Sequence, residues 1–109
     1  MKTLKLVVDL SGIIMLKEDK RTSQELVTSV IKNVILLWAN SKRGMNEEER
    51  RKYYKIADAF DLAVKEKAES VELEDDWFGM IKTAFKDALL TPDQILRKVE
   101  ELIQEVKNR

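Results

Sequence analysis

The sequence contains no cysteine and no histidine. Without cysteine there is no disulfide framework and no thiolate to act as nucleophile or ligand. Without histidine the usual zinc sets, the commonest general base and the physiological-pH switch are all missing. Proline occurs once and glycine three times, so little material is left for long irregular loops. No apolar run is long enough to cross a bilayer. The most apolar stretch, Val27 to Ala39, is interrupted by Lys32 and Asn33 and falls short of the ~20 residues that a span requires. The opening Met1-Lys2-Thr3-Leu4-Lys5 leads into a short apolar run broken by Asp9, with neither the long apolar region nor the small-residue cleavage site of a signal peptide. These features predict a cytoplasmic protein with no membrane association. Nor is one sign of charge in excess: Lys plus Arg and Asp plus Glu are each 20, for a formal net charge of zero. That balance argues against a strongly basic nucleic-acid binder and against a wholly acidic DNA mimic, while leaving local patches of either sign open.

What is present is the composition of a globular chain: 44% hydrophobic and 37% charged residues over 109 positions. That is room for a single domain, residues 1–109, with one core and no need of a metal or disulfide staple. Abundant Lys, Glu, Leu and Ala favour helices. The same Lys/Glu-heavy composition, with few Asn and Gln, leans towards a thermophilic source.

Residues 4–17 read as a strand pair. Leu4, Leu6 and Val8 recur with a period of two, Ser11-Gly12 supplies turn chemistry, and Ile13 to Leu16 return as a second, more apolar strand. Thr22 or Ser23 then caps a helix running from Gln24 to about Ser41, whose Val34–Ala39 turns are apolar almost all round. This is expected to be the most buried helix. Lys42-Arg43-Gly44 stops it. Asn46 with Glu49 has capping-box spacing, and a second helix is expected from about Glu47 to Glu69, with Tyr53, Ile56, Ala57 and Phe60 facing inward. Val71-Glu72-Leu73 alternates like a short strand. A third helix follows, opened by Glu74, Asp75 and Asp76 and striped with Trp77, Phe78, Ile81, Ala84 and Phe85. Thr91-Pro92-Asp93-Gln94 is a cap, N1 proline and box for a last helix carrying Ile95, Leu96, Val99, Leu102, Ile103 and Val106. The expected architecture is a mostly helical α+β fold: four helices packed with a small N-terminal β-hairpin, to which 71–73 can add a third short strand.

Two charged clusters stand out. Glu66, Glu69, Glu72, Glu74, Asp75 and Asp76 form the densest carboxylate set. Hard cations bind several oxygens, but the spacing does not match an EF-hand loop and its glycine is missing. A plainer reading is one helix end followed by a helix N-terminus, where carboxylates complement the dipole. A third is a docking patch for a basic partner, made of Glu72, Glu74, Asp75 and Asp76 with Trp77 and Phe78. Adjacent helical positions diverge by about 100°, so one of those two aromatics is expected to be partly exposed as an interface anchor.

The basic set is Lys42, Arg43, Arg50, Arg51, Lys52 and Lys55, with Tyr53 and Tyr54 among them. Lys42, Arg43, Arg50 and Arg51 can meet phosphates, and Tyr54 shares a helix face with Arg50, which allows charge plus stacking. Glu47, Glu48 and Glu49 partly neutralise that patch, and an ordinary salt-laced helix explains the same pattern. A helix-turn-helix reading of the last two helices, with Gln94, Arg97 and Lys98 on DNA, meets the opposing charges of Asp93, Glu100, Glu101 and Glu105. Serines lack an activating partner, and there is no P-loop, dinucleotide glycine pattern or kinase signature. No catalytic, cofactor or metal residue is therefore expected.

Asn46 to Ala57, an acidic-then-basic opening to an amphipathic helix, precedes Val71 to Asp76 with Ile81-Lys82 after it. In this order, behind an apolar amino-terminal segment with a turn, the chain resembles small accessory proteins carried by tailed bacteriophages. The resemblance covers most of the chain as an ordering of elements. It implies a viral accessory or morphogenesis-linked role and transfers no catalytic residue. The resulting expectation is a non-enzymatic protein that binds a protein partner or associates with itself, with nucleic-acid binding through residues 42–55 as the alternative.

Overall fold

A computed structural model describes residues 2–7, 22–88 and 94–106. The elements run β1 (Lys2–Lys5), α1 (Ser23–Ser41), α2 (Glu47–Lys65), β2 (Ser70–Leu73), α3 (Asp75–Asp87) and α4 (Gln94–Glu105). The fold is mostly helical α+β, as the periodicities predict, and the described residues form four helices and a two-stranded antiparallel sheet.

Local chemistry sets most boundaries. Thr22 caps α1, its hydroxyl accepting from the Glu25 N–H at 3.2 Å. Ser23, the first helical residue, donates its hydroxyl to the Leu6 carbonyl at 3.1 Å and so ties the helix start to the amino-terminal segment. Gly44 takes the left-handed conformation (φ +81°) that the tight connection between α1 and α2 requires. Asn46 accepts from the Glu49 N–H at 2.8 Å, and three glutamates in the first turn of α2 complement its dipole.

The second helix ends four residues before the expected Glu69. The Ala68 N–H bonds the Ala63 carbonyl at 2.8 Å and the Lys67 N–H bonds that of Val64 at 3.0 Å, a Schellman closure. Its left-handed position is held by Lys67 (φ 56°), where the composition offers no glycine to announce the stop.

The strand expected at 71–73 is present as β2, and it is the partner of β1. The register pairs Lys2 with Leu73, Thr3 with Glu72, Leu4 with Val71 and Lys5 with Ser70. Leu4, Leu6, Val71 and Leu73 point into the core, while Thr3, Lys5 and Glu72 face out. The turn at Ser11-Gly12, the return strand 13–16 and the Thr91-Pro92-Asp93 cap lie outside the described residues.

The core is continuous through all six elements, with Phe60, Ile31, Ile35, Ile56 and Ile81 each fully enclosed. At its centre is α1, against which α2, α3 and α4 all pack. That fits its wide apolar arc, although Leu37 remains 48% exposed. Helices α3 and α4 each lean on α1 and barely touch one another, so a groove opens between them.

Candidate functional site

The basic set is drawn together at the α1–α2 turn, and most of its members have work within the chain. Arg50 directs its Nε to the Ala39 carbonyl at 3.1 Å, satisfying an acceptor at the open end of α1. Lys42 lies over the Trp38 ring, 5.3 Å from its centroid. Arg51 pairs with Glu47 at 3.5 Å, one helical turn back. Tyr54 donates to Asn40 Oδ1 at 3.0 Å, bridging the two helices. Arg43 is exposed, and no such bond engages it among the described residues. Four of the five proposed phosphate contacts thus have a partner within the chain, and two of them, Arg50 and Tyr54, join α2 to α1.

Tyr53, next in the chain, is buried under this turn. Burial pushes its phenol above the ordinary 10.0; the Trp38 indole opposes that, and the Glu49 and Asp87 charges add to it. Its hydroxyl makes a long 3.4 Å bond to the Met80 carbonyl, tying α2 to α3. The Trp38 Nε1 is shut off from solvent without a well-formed hydrogen bond, close enough to Tyr53 to act on its charge but not to satisfy itself.

The acidic residues divide by element. Glu66 ends α2, Glu69 offers its backbone carbonyl to the Leu6 and Val7 N–H groups at 2.8 and 3.3 Å, and Glu72 stands on the outer face of the sheet. Glu74 occupies the N-cap of α3 without a side-chain cap bond, with Asp75 and Asp76 in the first turn. Glu72, Glu74, Asp75 and Asp76 are all exposed and consecutive in space along the sheet-to-helix junction. Of the two aromatics, Trp77 is half-buried, while Phe78 is 3% exposed and belongs to the core. Phe78 is therefore corrected out of the candidate docking set: α3 approaches α1 with the 78–81–84 side inward. Among the described residues, no three carboxylates converge closely enough to hold a metal ion.

The helix-turn-helix candidates do not form a paired unit, because α3 and α4 splay apart over α1. Lys98 lies 3.8 Å from Glu101 on its own helix. Sequence reading did not single out the groove that results. It measures about 430 Å³, with Phe85 and Ile103 as apolar wall, Lys82 and Lys86 on one side and Glu100 and Gln104 on the other. The four-residue step from Lys82 to Lys86 was legible as one helix face; that α4 stands off from it was not. A smaller polar hollow of about 190 Å³ lies between α1 and α2 beside the Lys32–Asp61 ion pair, in which Nζ reaches both carboxylate oxygens at 2.7 and 2.9 Å.

No family model, curated protein or solved structure matches the chain. Its functional reading therefore rests on the residues themselves.

Proposed function

We propose that the protein is a non-enzymatic interaction or assembly protein, an accessory protein of a tailed bacteriophage, that meets a basic protein partner through the start of α3. The observation that carries this reading is an asymmetry between the two charged clusters. Of the cations near the α1–α2 turn, Arg50 caps α1, Lys42 lies over Trp38 and Arg51 pairs with Glu47. The carboxylates of Glu72, Glu74 and Asp76 instead face solvent beside the half-buried ring of Trp77. A polar rim around an aromatic edge is the anatomy of a modest protein interface.

The test is a charge-reversal variant, Glu72→Lys with Glu74→Lys and Asp76→Lys. All three positions are exposed, so the fold should survive; far-ultraviolet circular dichroism checks this. Proteins isolated with the tagged wild type from infected cells should be lost with the variant and retained by an Arg43→Glu control. Retention of the same partners by the triple variant overturns the assignment of the surface. Salt-sensitive retention of the wild type on immobilised DNA, lost in Arg43→Glu, would overturn the protein-partner reading in favour of nucleic acid.

A further inference from the structure

Two surfaces of the chain carry opposite charges that its own packing leaves unmatched. The first is the acidic start of α3. Glu72, Glu74 and Asp76 are exposed there around the half-buried ring of Trp77, and none of the three forms an ion pair among the described residues. Asp75 has an interaction of its own within the chain and is not counted with them. The second is the α3 wall of the groove beside α4. Lys82 and Lys86 stand there one helical turn apart, both exposed. Lys82 lies over the Phe78 ring at 4.9 Å, and Lys86 has no ion pair among the described residues.

The two surfaces match in more than sign. The groove measures about 430 Å³, with Phe85 and Ile103 as its apolar part between the lysines and Glu100. A partly exposed tryptophan edge with carboxylates around it has the complementary order, apolar at the centre and negative at the rim. Trp77 lies about 140° round the helix from Lys82 and about 180° from Lys86, so the ring and the lysines look to different sides of α3. The chain carries no formal net charge, so two copies do not repel one another at a distance and local matching decides.

We infer that the groove receives the acidic start of α3 from a second copy of this chain, so that copies associate head to tail. Glu72, Glu74 and Asp76 of one copy meet Lys82 and Lys86 of the next, and the exposed edge of Trp77 meets Phe85. A donor and an acceptor on different sides of one helix give a heterologous contact, which builds rings or open chains rather than a closed two-fold pair. Glu100 on the α4 wall opposes an acidic visitor and so confines the contact to the α3 wall. The inference rests on the interaction reading and names its partner: the basic surface met by these carboxylates belongs to the chain itself.

The experiment is sedimentation equilibrium of the full chain in low salt, with circular dichroism to check the fold of each variant. Wild type should associate beyond pairs as concentration rises, and loosen as salt rises. Neutralising the acids (Glu72→Gln/Glu74→Gln/Asp76→Asn) and neutralising the lysines (Lys82→Gln/Lys86→Gln) should each weaken association about tenfold or more. Glu100→Gln, which removes the opposing charge, should strengthen it. An equimolar mixture of the two neutralised variants decides the geometry. Each copy keeps one intact surface, so the mixture should form pairs and stop there. A wild type that remains monomeric up to about 1 mM overturns the proposal, as does a mixture no more associated than its components. Undiminished association of Lys82→Gln/Lys86→Gln overturns the groove as acceptor but leaves the acidic surface free to serve a different protein. The charge-reversal capture from infected cells tests that surface independently.

Discussion

The Nε of Arg50 donates to the main-chain carbonyl of Ala39 at 3.1 Å, so the second helix terminates the first. The last carbonyls of α1 have no intrahelical donor, and a half-buried guanidinium is a strong substitute. This assigns Arg50 a structural function, and the assignment can be separated from phosphate binding. Arg50→Lys keeps the charge but loses the planar donor that reaches the carbonyl. Both Arg50→Lys and Arg50→Ala should lose about 1.5 kcal/mol in urea unfolding, the scale of a hydrogen bond to a charged group. Equal stability of Arg50→Lys and wild type would return the residue to the list of free surface cations.

Tyr53 predicts a response to alkaline pH. Its phenol is raised above 10.0, chiefly by burial, so the folded state holds the proton more tightly than the unfolded chain. Below pH 10 both states are protonated and the group contributes no slope. As the pH climbs above 10 the unfolded chain ionises first, and stability falls until the folded-state value is passed. Urea midpoints of wild type and Tyr53→Phe should run parallel from about pH 7 to 9 and converge or cross above about pH 10.5. A constant difference across that range would mean that Tyr53 does not couple folding to pH.

The parts of the fold that were readable from sequence are those determined within a few residues. The cap at Asn46 and the inward stripe Tyr53–Ile56–Ala57–Phe60 follow from hydrogen-bonding chemistry and helical spacing, and each is where the pattern placed it; of the two candidates for the cap of α1, Thr22 and Ser23, it is Thr22. The pairing of β1 with β2 joins segments about 70 residues apart; the alternation of Val71-Glu72-Leu73 marked a strand, but not which neighbour it would have. Trp77 and Phe78 are equally apolar neighbours, and only the approach of α3 to α1 selects Phe78 for the core. The same limit hid the internal roles of Arg50 and Tyr54, because their partners Ala39 and Asn40 lie on the preceding helix. The groove beside Phe85 was invisible because it depends on the splay of two helices rather than on either one alone.

Phe60 and Leu62 are two residues apart on α2 and should behave oppositely. Phe60 is fully enclosed and Leu62 is 54% exposed, on the side away from the core. Phe60→Ala removes a large ring and leaves a cavity, at a cost of about 3–5 kcal/mol. That is most of the stability of a small domain, so the variant should unfold at low urea concentration or fail to fold at room temperature. Leu62→Ala should lie within about 0.5 kcal/mol of wild type. Comparable losses at the two positions would show that Leu62 is covered in solution.

Lys67 closes α2 at φ 56°, a conformation in which an L side chain crowds the backbone. Its N–H is also a fixed part of the closure, bonded to the Val64 carbonyl at 3.0 Å. Lys67 is exposed, so its side chain can be changed without disturbing packing. Lys67→Gly should relieve the crowding, by about 1–2 kcal/mol on average for this region, while adding freedom to the unfolded chain worth about 0.5–1 kcal/mol. The expected net is a gain of about 0.5–1 kcal/mol, read as a higher urea midpoint at unchanged slope. Lys67→Ala retains the crowding and should leave stability nearly unchanged, which separates the backbone effect from loss of the ammonium. Lys67→Pro cannot reach a positive φ and lacks the N–H, so it should be the most damaging of the three. If alanine were as stabilising as glycine, the gain would come from removing a charge, and the left-handed turn would not be the source of strain.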